Sequence, residues 1–114
     1  MIHEDDQSDY LLAVRKRIEE NFKRTINETE LANTAGVSVS KLQHDFPVYF
    51  GINLQDYQTE VRINKAKTLL TESNKAIKQI AREVGYKSGE SFCRAFKKMT
   101  NQTPSEYRET PTGK

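Results

Sequence analysis

Several residue types that mark particular classes of protein are scarce in this sequence. Its 114 residues include one cysteine, no tryptophan and five glycines. Since Cys93 is the single cysteine, the chain cannot form an internal disulfide. A reducing, cytoplasmic compartment is therefore expected. No apolar run approaches the roughly 20 residues that span a membrane, so no membrane partner is expected. The N-terminus is acidic and lacks the apolar centre of a signal peptide.

Groups that carry out catalysis or bind metals are also few. His3, His44 and Cys93 are far apart in the sequence and lack the spacing of a metal site. The segment 36–40, Gly-Val-Ser-Val-Ser, is not a nucleophile elbow because the second glycine is missing. No glycine-rich phosphate loop occurs. We therefore predict a protein that is not an enzyme and that uses neither a metal nor another cofactor.

Charged residues, in contrast, are abundant and unevenly distributed. They make up 30% of the chain, against 35% for hydrophobic residues, which is typical of a thin core and a large surface. Four acidic residues at positions 4–9 precede the first basic residue, Arg15. Residues 10–114 carry 18 basic and 12 acidic side chains, a formal charge of +6. A basic body suits a polyanionic partner such as nucleic acid, although many other domains reach this charge.

One sequence pattern occurs twice. Residues 31–57 read Leu-Ala-x3-Gly-Val … Phe … Gly-x2-Leu-x2-Tyr, and residues 80–107 read Ile-Ala-x3-Gly-Tyr … Phe … Asn-x2-Pro-x2-Tyr. Each copy has a short amphipathic segment, a glycine, a small polar residue (Ser38 or Ser88) and a second amphipathic segment. This order is typical of a helix-turn-helix. Two such units in one basic chain predict a protein that binds two stretches of DNA.

The hydrophobic periodicity predicts an all-α fold of seven helices, since no segment alternates with period two. Ser8 is expected to cap a first helix that ends near Phe22. The predicted organisation is a disordered acidic leader (1–7), a first helix-turn-helix lobe (8–52), a long central linker helix (53–73), a second helix-turn-helix lobe (74–109) and a disordered tail (110–114).

Two residues distinguish the first unit from the second. Pro47 lies inside the predicted third helix, where it removes the hydrogen bond to the Gln43 carbonyl, so a bend or break is expected there. Asp45 lies on the outward face of the same helix and would repel a nearby phosphate. The second unit is therefore expected to carry more of the specificity.

The most specific motif lies in the second unit. It reads Ile77-x-x-Ile80-Ala81-x-x-Val84-Gly85-Tyr86-x-Ser88-x-x-Ser91-Phe92-x-Arg94-x-Phe96-Lys97-Lys98, and then Thr103-Pro104-Ser105-x-Tyr107-Arg108. Together with matching positions in the first unit and the linker, it resembles the DNA-binding domain of the AraC/XylS family of bacterial transcription regulators over about residues 10–109. The resemblance implies recognition helices near 39–50 and 89–100, lying in successive major grooves. A linker helix of roughly 30 Å agrees with the ~34 Å repeat that separates successive major grooves on one face of the duplex.

The candidate DNA contacts are the outward side chains of the two recognition helices. Gln43 can bond adenine N6 and N7, Arg94 is suited to guanine, and Glu90 can accept from cytosine N4. The base-contacting positions implied by the resemblance are Ser40, Gln43, His44, Glu90, Ser91 and Arg94. The lysines expected at phosphates are Lys41, Lys87, Lys97 and Lys98.

The predicted function is sequence-specific binding of double-stranded DNA by a bacterial transcription regulator of the cytoplasm and nucleoid, with activation as the expected mode. RNA polymerase is a candidate second partner, and a sensor or dimerisation domain is expected outside these residues. Two alternatives stay open. One is a helical protein-interaction module that contacts the transcription machinery without reading DNA, and the other is a non-specific nucleoid protein. Arg94, Lys97 and Lys98 favour DNA over the first alternative.

Overall fold

The computed structural model describes residues 2–109, with side chains described from Asp9 onwards. This part of the chain contains seven helices and no strand, which confirms the all-α prediction. The helices are α1 (Ile2–Glu20), α2 (Glu28–Ala35), α3 (Val39–Phe50), α4 (Leu54–Glu72), α5 (Ile77–Glu83), α6 (Gly89–Thr100) and α7 (Pro104–Glu109). The predicted tail at 110–114 lies outside the described residues.

α1 differs from its predicted extent at its N-terminal end. It begins at Ile2 instead of near Ser8, so helix replaces the predicted disordered leader over residues 2–7. Acidic residues are favourable in the first turn of a helix because the helix dipole is positive there, and positions 4 and 5 of the sequence are acidic. The expectation of disorder rested on their terminal position and overlooked this preference.

The chain divides into two compact units, Met1–Gln58 and Thr59–Lys114. The boundary falls within α4, so each unit contains one half of the helix that was predicted as a linker. Leu54 of α4 is buried in the first unit's core, whereas Ile63, Ala66 and Leu70 are buried in the second half. α4 is therefore part of both cores as well as the connection between them.

The core of unit 1 is built from short stripes of four helices. Helical spacing places apolar residues of each helix on one face, and these faces meet. Its buried side chains are Leu11, Val14, Ile18, Leu31, Ala32, Leu42, Phe46 and Leu54. The buried amide of Gln58 donates hydrogen bonds to the carbonyls of Phe22 and Arg24, which holds the segment after α1 against α4.

The turn between α2 and α3 forms as the sequence predicts. Asn27 caps α2, with its Oδ1 accepting from the Glu30 amide at 3.0 Å. Gly36 adopts the left-handed conformation at φ 76° that ends the helix and favours glycine. Ser38 then caps α3, with its Oγ accepting from the Lys41 amide at 3.0 Å. These local bonds set where α3 begins.

Pro47 does not break α3, which corrects the sequence-based expectation. The helix continues from Val39 to Phe50 with Pro47 inside it, and the Gly51 amide donates to the Pro47 carbonyl at 2.8 Å. The physical reason lies in tertiary packing. Phe46 is fully buried, and its ring lies 4.7 Å from the ring of Phe50 one turn later. Burial of these rings holds the last turn despite the missing hydrogen bond at Pro47.

Unit 2 repeats this arrangement with a more aromatic core. Ser88 caps α6, with its Oγ accepting from the Ser91 amide at 3.1 Å. The capping box before α7 is present in both directions, because Thr103 and Glu106 each accept from the other's amide. Ring contacts of 5.4–5.7 Å between centroids form one row, which runs Tyr86, Phe92, Phe96, Tyr107.

Candidate nucleic-acid interface

The exposed face of α6 is basic. Phe92 and Phe96 are fully buried, so the opposite side of the helix faces solvent. Arg94, Lys97 and Lys98 are exposed there, and none of their side chains forms a hydrogen bond or ion pair with any residue that the structure describes. The guanidinium and ammonium groups on this face are therefore available to an anionic partner.

The remaining candidates of unit 2 lie at the start of the same helix. Lys87 precedes the cap and is exposed, as is Glu90 in the first turn. Ser91 is half-buried, and its hydroxyl is within 3.2 Å of the Ser88 carbonyl and 3.0 Å of the Ser88 hydroxyl. Ser91 thus contributes to the cap of α6, and a base contact from it would have to compete with that role. The side chains of Lys87 and Glu90 have no polar partner between positions 9 and 109.

The candidates of unit 1 are exposed on α3, as predicted, but most of them already have partners. Ser40, Lys41, Gln43 and His44 all face solvent. Lys41 and His44 contact one carboxylate within the unit and Gln43 contacts another. Ser40 alone of the four has no polar partner among the described side chains.

Asp45 is the first of these carboxylates. Its side chain is only 14% exposed, and it lies 2.9 Å from the Lys41 ammonium and 3.1 Å from His44 Nδ1. The Tyr10 hydroxyl of α1 donates to it at 3.2 Å. The expected repulsion of phosphate is therefore reduced, because Asp45 is turned towards α1 and paired. The same contacts make Asp45 a competitor of DNA for the Lys41 ammonium.

The pKa values within this cluster show how its charges are balanced. Partial burial by itself raises the pKa of Asp45, but hydrogen bonds from Lys41, His44 and Tyr10 outweigh burial and hold that pKa below its ordinary value. Burial and the neighbouring Asp45 carboxylate raise the pKa of Tyr10 to about 12. At neutral pH the cluster therefore contains a charged carboxylate and a neutral phenol.

Glu28, the second carboxylate, was missed by sequence reasoning. It is the first residue of α2 and accepts hydrogen bonds from Gln43 Nε2 of α3 and, at 3.2 Å, from Gln55 Nε2 of α4. These partners are 15 and 27 residues away. No local pattern could indicate such a contact, because it depends on how the three helices pack.

Metal clusters and membrane spans are absent among the residues that the structure describes. Between positions 9 and 109 no three His, Cys, Asp or Glu side chains come together as metal ligands would. Among the described helices, none is both long and apolar enough to cross a membrane.

Comparison with known proteins places this geometry among DNA-binding regulators. The family model of the helix-turn-helix domain matches residues 31–110. The regulator GlxA of Rhizobium meliloti is 36% identical over 98 residues, which are 86% of this chain and 30% of GlxA. The chain spans about a third or less of the length of the curated relatives it matches.

Solved structures agree with this result. The C-terminal domain of AraT, a response regulator from Geobacillus stearothermophilus, superposes with a TM-score of 0.83 at 29% identity, over 90% of this chain and 85% of that one. A transcriptional regulator from Chromobacterium violaceum, described as an AraC-type DNA-binding domain-containing protein, gives 0.82 at 30% identity, over 91% and 96% of the two chains.

Proposed function

Since the chain belongs to the AraC-type family of helix-turn-helix domains, its function is sequence-specific DNA binding in transcription regulation, and we propose that α3 and α6 read the major groove. Family membership sets aside the alternative of an interaction module that does not bind DNA. The observation that carries the assignment of α6 is its exposed basic face, where Arg94, Lys97 and Lys98 lack partners in the described part of the chain.

The side chains of α6 have distinct roles in this proposal. Arg94 reads a guanine through its fork of donors, and Glu90 accepts from a cytosine amino group. Lys87, Lys97 and Lys98 contact phosphates and position the helix. Among the side chains of α3, Gln43 reads a base. Lys41 and His44 make weaker contacts because both are paired with Asp45, and Ser40 does so because its hydroxyl is uncharged.

The role of Arg94 is tested by Arg94→Ala. We expect a loss of about 1–3 kcal/mol on the preferred site and relaxed preference at one base position. Wild type and variant are titrated against the preferred duplex and a scrambled duplex. Equal losses on both duplexes would mean that Arg94 contacts phosphate and does not read a base.

Both units are proposed to bind one duplex, at segments about one helical turn apart. Support comes from the repeated motif and from α4, whose 19 residues form one continuous helix between the two. Inserting 5 bp between the two halves of the selected site moves one half to the other side of the duplex. We expect the affinity to fall to that of a single half-site. An unchanged affinity would show that only one unit reads DNA.

The whole protein is proposed to act as an activator that contacts RNA polymerase. The chain covers about a third or less of the length of the relatives it matches, which supports a sensor or dimerisation domain outside these residues. A promoter carrying the selected site upstream of a reporter tests activation. Reduced expression on adding the protein would make it a repressor.

A further inference from the structure

The contact between Glu28 and Gln43 joins the start of α2 to the outward face of α3. Glu28 is half-buried at the start of α2, and Gln43 is exposed on α3. One carboxylate oxygen accepts from Gln43 Nε2 and the other from Gln55 Nε2 of α4. Glu28 is placed by α2, and the oxygen that faces Gln43 is separate from the one that faces Gln55, so Glu28 can orient the one amide of α3 suited to reading a base.

The chemistry of the pair determines which way the amide faces. A carboxylate accepts hydrogen bonds and donates none. The nitrogen end of the Gln43 amide must therefore face Glu28, which turns the carbonyl oxygen Oε1 away from it. A glutamine without such a partner can rotate by half a turn and exchange its donor and acceptor ends. Glu28 removes that freedom.

We propose that Glu28 is a positioning residue that sets the base preference of Gln43. With Oε1 turned outwards, Gln43 offers an acceptor, and it therefore selects a base whose major-groove edge has an amino group, namely adenine or cytosine. Guanine and thymine present acceptors at the same place, and a fixed Oε1 repels them. An amide free to rotate would tolerate all four bases. This inference rests on the proposed reading of a base by Gln43.

The test compares base preferences at every position of the selected site. Wild type, Gln43→Ala, Glu28→Ala and the double variant are titrated against duplexes that differ by one base pair. Gln43→Ala identifies the base pair that Gln43 reads, because preference is lost there. Glu28→Ala is expected to reduce the preference for adenine or cytosine over guanine and thymine at that same base pair by at least about fivefold. In the Gln43→Ala background, Glu28→Ala should change no preference.

Two controls separate positioning from charge and from folding. Removing a carboxylate near DNA strengthens binding to all duplexes alike, so ratios between duplexes are compared and not affinities. Gln55→Ala removes the other partner of Glu28 and should leave the ratios unchanged. Glu28→Gln keeps the shape but can donate to Gln43 Oε1, so it should relax the preference even if Glu28→Ala folds poorly.

The outcomes distinguish this inference from the proposed function. If Gln43→Ala relaxes one position and both Glu28 variants leave the ratios intact, Glu28 is a structural residue only and the inference is wrong. If Gln43→Ala relaxes no position, Gln43 reads no base, and the proposed contact and the inference are wrong together.

Discussion

The helices α3 and α6 have the same construction and different surfaces. Each has 12 residues, begins after a serine cap and ends at a residue in the left-handed conformation, Gly51 or Asn101. Each buries two apolar side chains one turn apart. On the outward side, however, α3 has amide, imidazole and ammonium groups held by Asp45 and Glu28, whereas the cations of α6 are unpaired in the described part of the chain.

This difference shows that one set of residues forms each helix and another set, on its outward side, gives the helix its surface chemistry. Caps and buried stripes repeat in both units, because both act within a few residues and both are needed to form the helix. The outward residues are under no such constraint. Unit 1 uses them to bind its own helices together, and unit 2 leaves them for a partner. We therefore expect the units to contribute unequally to DNA binding.

The largest expected difference in stability concerns one pair of equivalent positions, because Pro47 of α3 corresponds to Lys97 of α6. Lys97→Pro should cost about 3 kcal/mol of stability, the usual cost of an interior proline. Pro47→Ala restores a helix donor and should stabilise the protein by less than that, because α3 has adapted to the proline. Denaturant midpoints measure both effects, with Lys97→Ala as the control.

A loss of stability in Pro47→Ala would contradict this account. It would mean that the last turn of α3 depends on the proline ring itself. The packing of Phe46 and Phe50 would then not be the reason why the helix continues.

A smaller effect is expected from Asp45→Asn, which makes unit 1 resemble unit 2. The change weakens the hold on Lys41 and His44, so affinity for all duplexes should rise several-fold at low salt, by about 1 kcal/mol. Titration at two salt concentrations measures this gain. Tyr10→Phe is the control, because it removes a hydroxyl contact of Asp45 and leaves its charge. An unchanged affinity in Asp45→Asn would show that Lys41 does not approach DNA.

The same substitution makes a prediction for stability at acid pH. The pKa of Asp45 is lowered in the folded protein, so its contribution is complete above the unfolded value of about 3.9 and is lost as pH falls through the lower, folded value. The stability difference between wild type and Asp45→Asn should therefore be constant above about pH 5 and shrink below pH 4. A difference that stays constant down to pH 2 would show that these bonds do not favour the charged form.

Much of the fold could be predicted, because its signals are local. Asn27, Ser38 and Ser88 mark helix starts, and Phe92 and Phe96 mark a buried face by their spacing. The exposure of Arg94 could be predicted because Phe92 and Phe96 occupy the buried face of the same helix. On α3 the pairing of Lys41 with Asp45 is also local, since the two residues are four apart in one helix. The contacts of α3 with Tyr10 and Glu28 could not be predicted in this way.

Those two contacts are tertiary. Tyr10 reaches Asp45 across 35 residues, and Glu28 reaches Gln43 across 15. Which residues meet at such a distance along the sequence depends on how the helices pack. Hydrophobic periodicity does not indicate such a contact. Pro47 illustrates the same limit, since a local rule predicted a break and burial of the neighbouring rings prevented it.

The unequal contribution of the two units is tested most directly by the salt dependence of DNA affinity. Each phosphate contact contributes about 0.9 to the slope of log affinity against log salt. Lys97→Gln and Lys98→Gln remove one charge each from α6, and Lys41→Gln removes one from α3. We predict that each α6 variant lowers the slope by nearly that amount and that Lys41→Gln lowers it far less, because Lys41 is already paired with Asp45. An equal or larger change for Lys41→Gln would contradict the account.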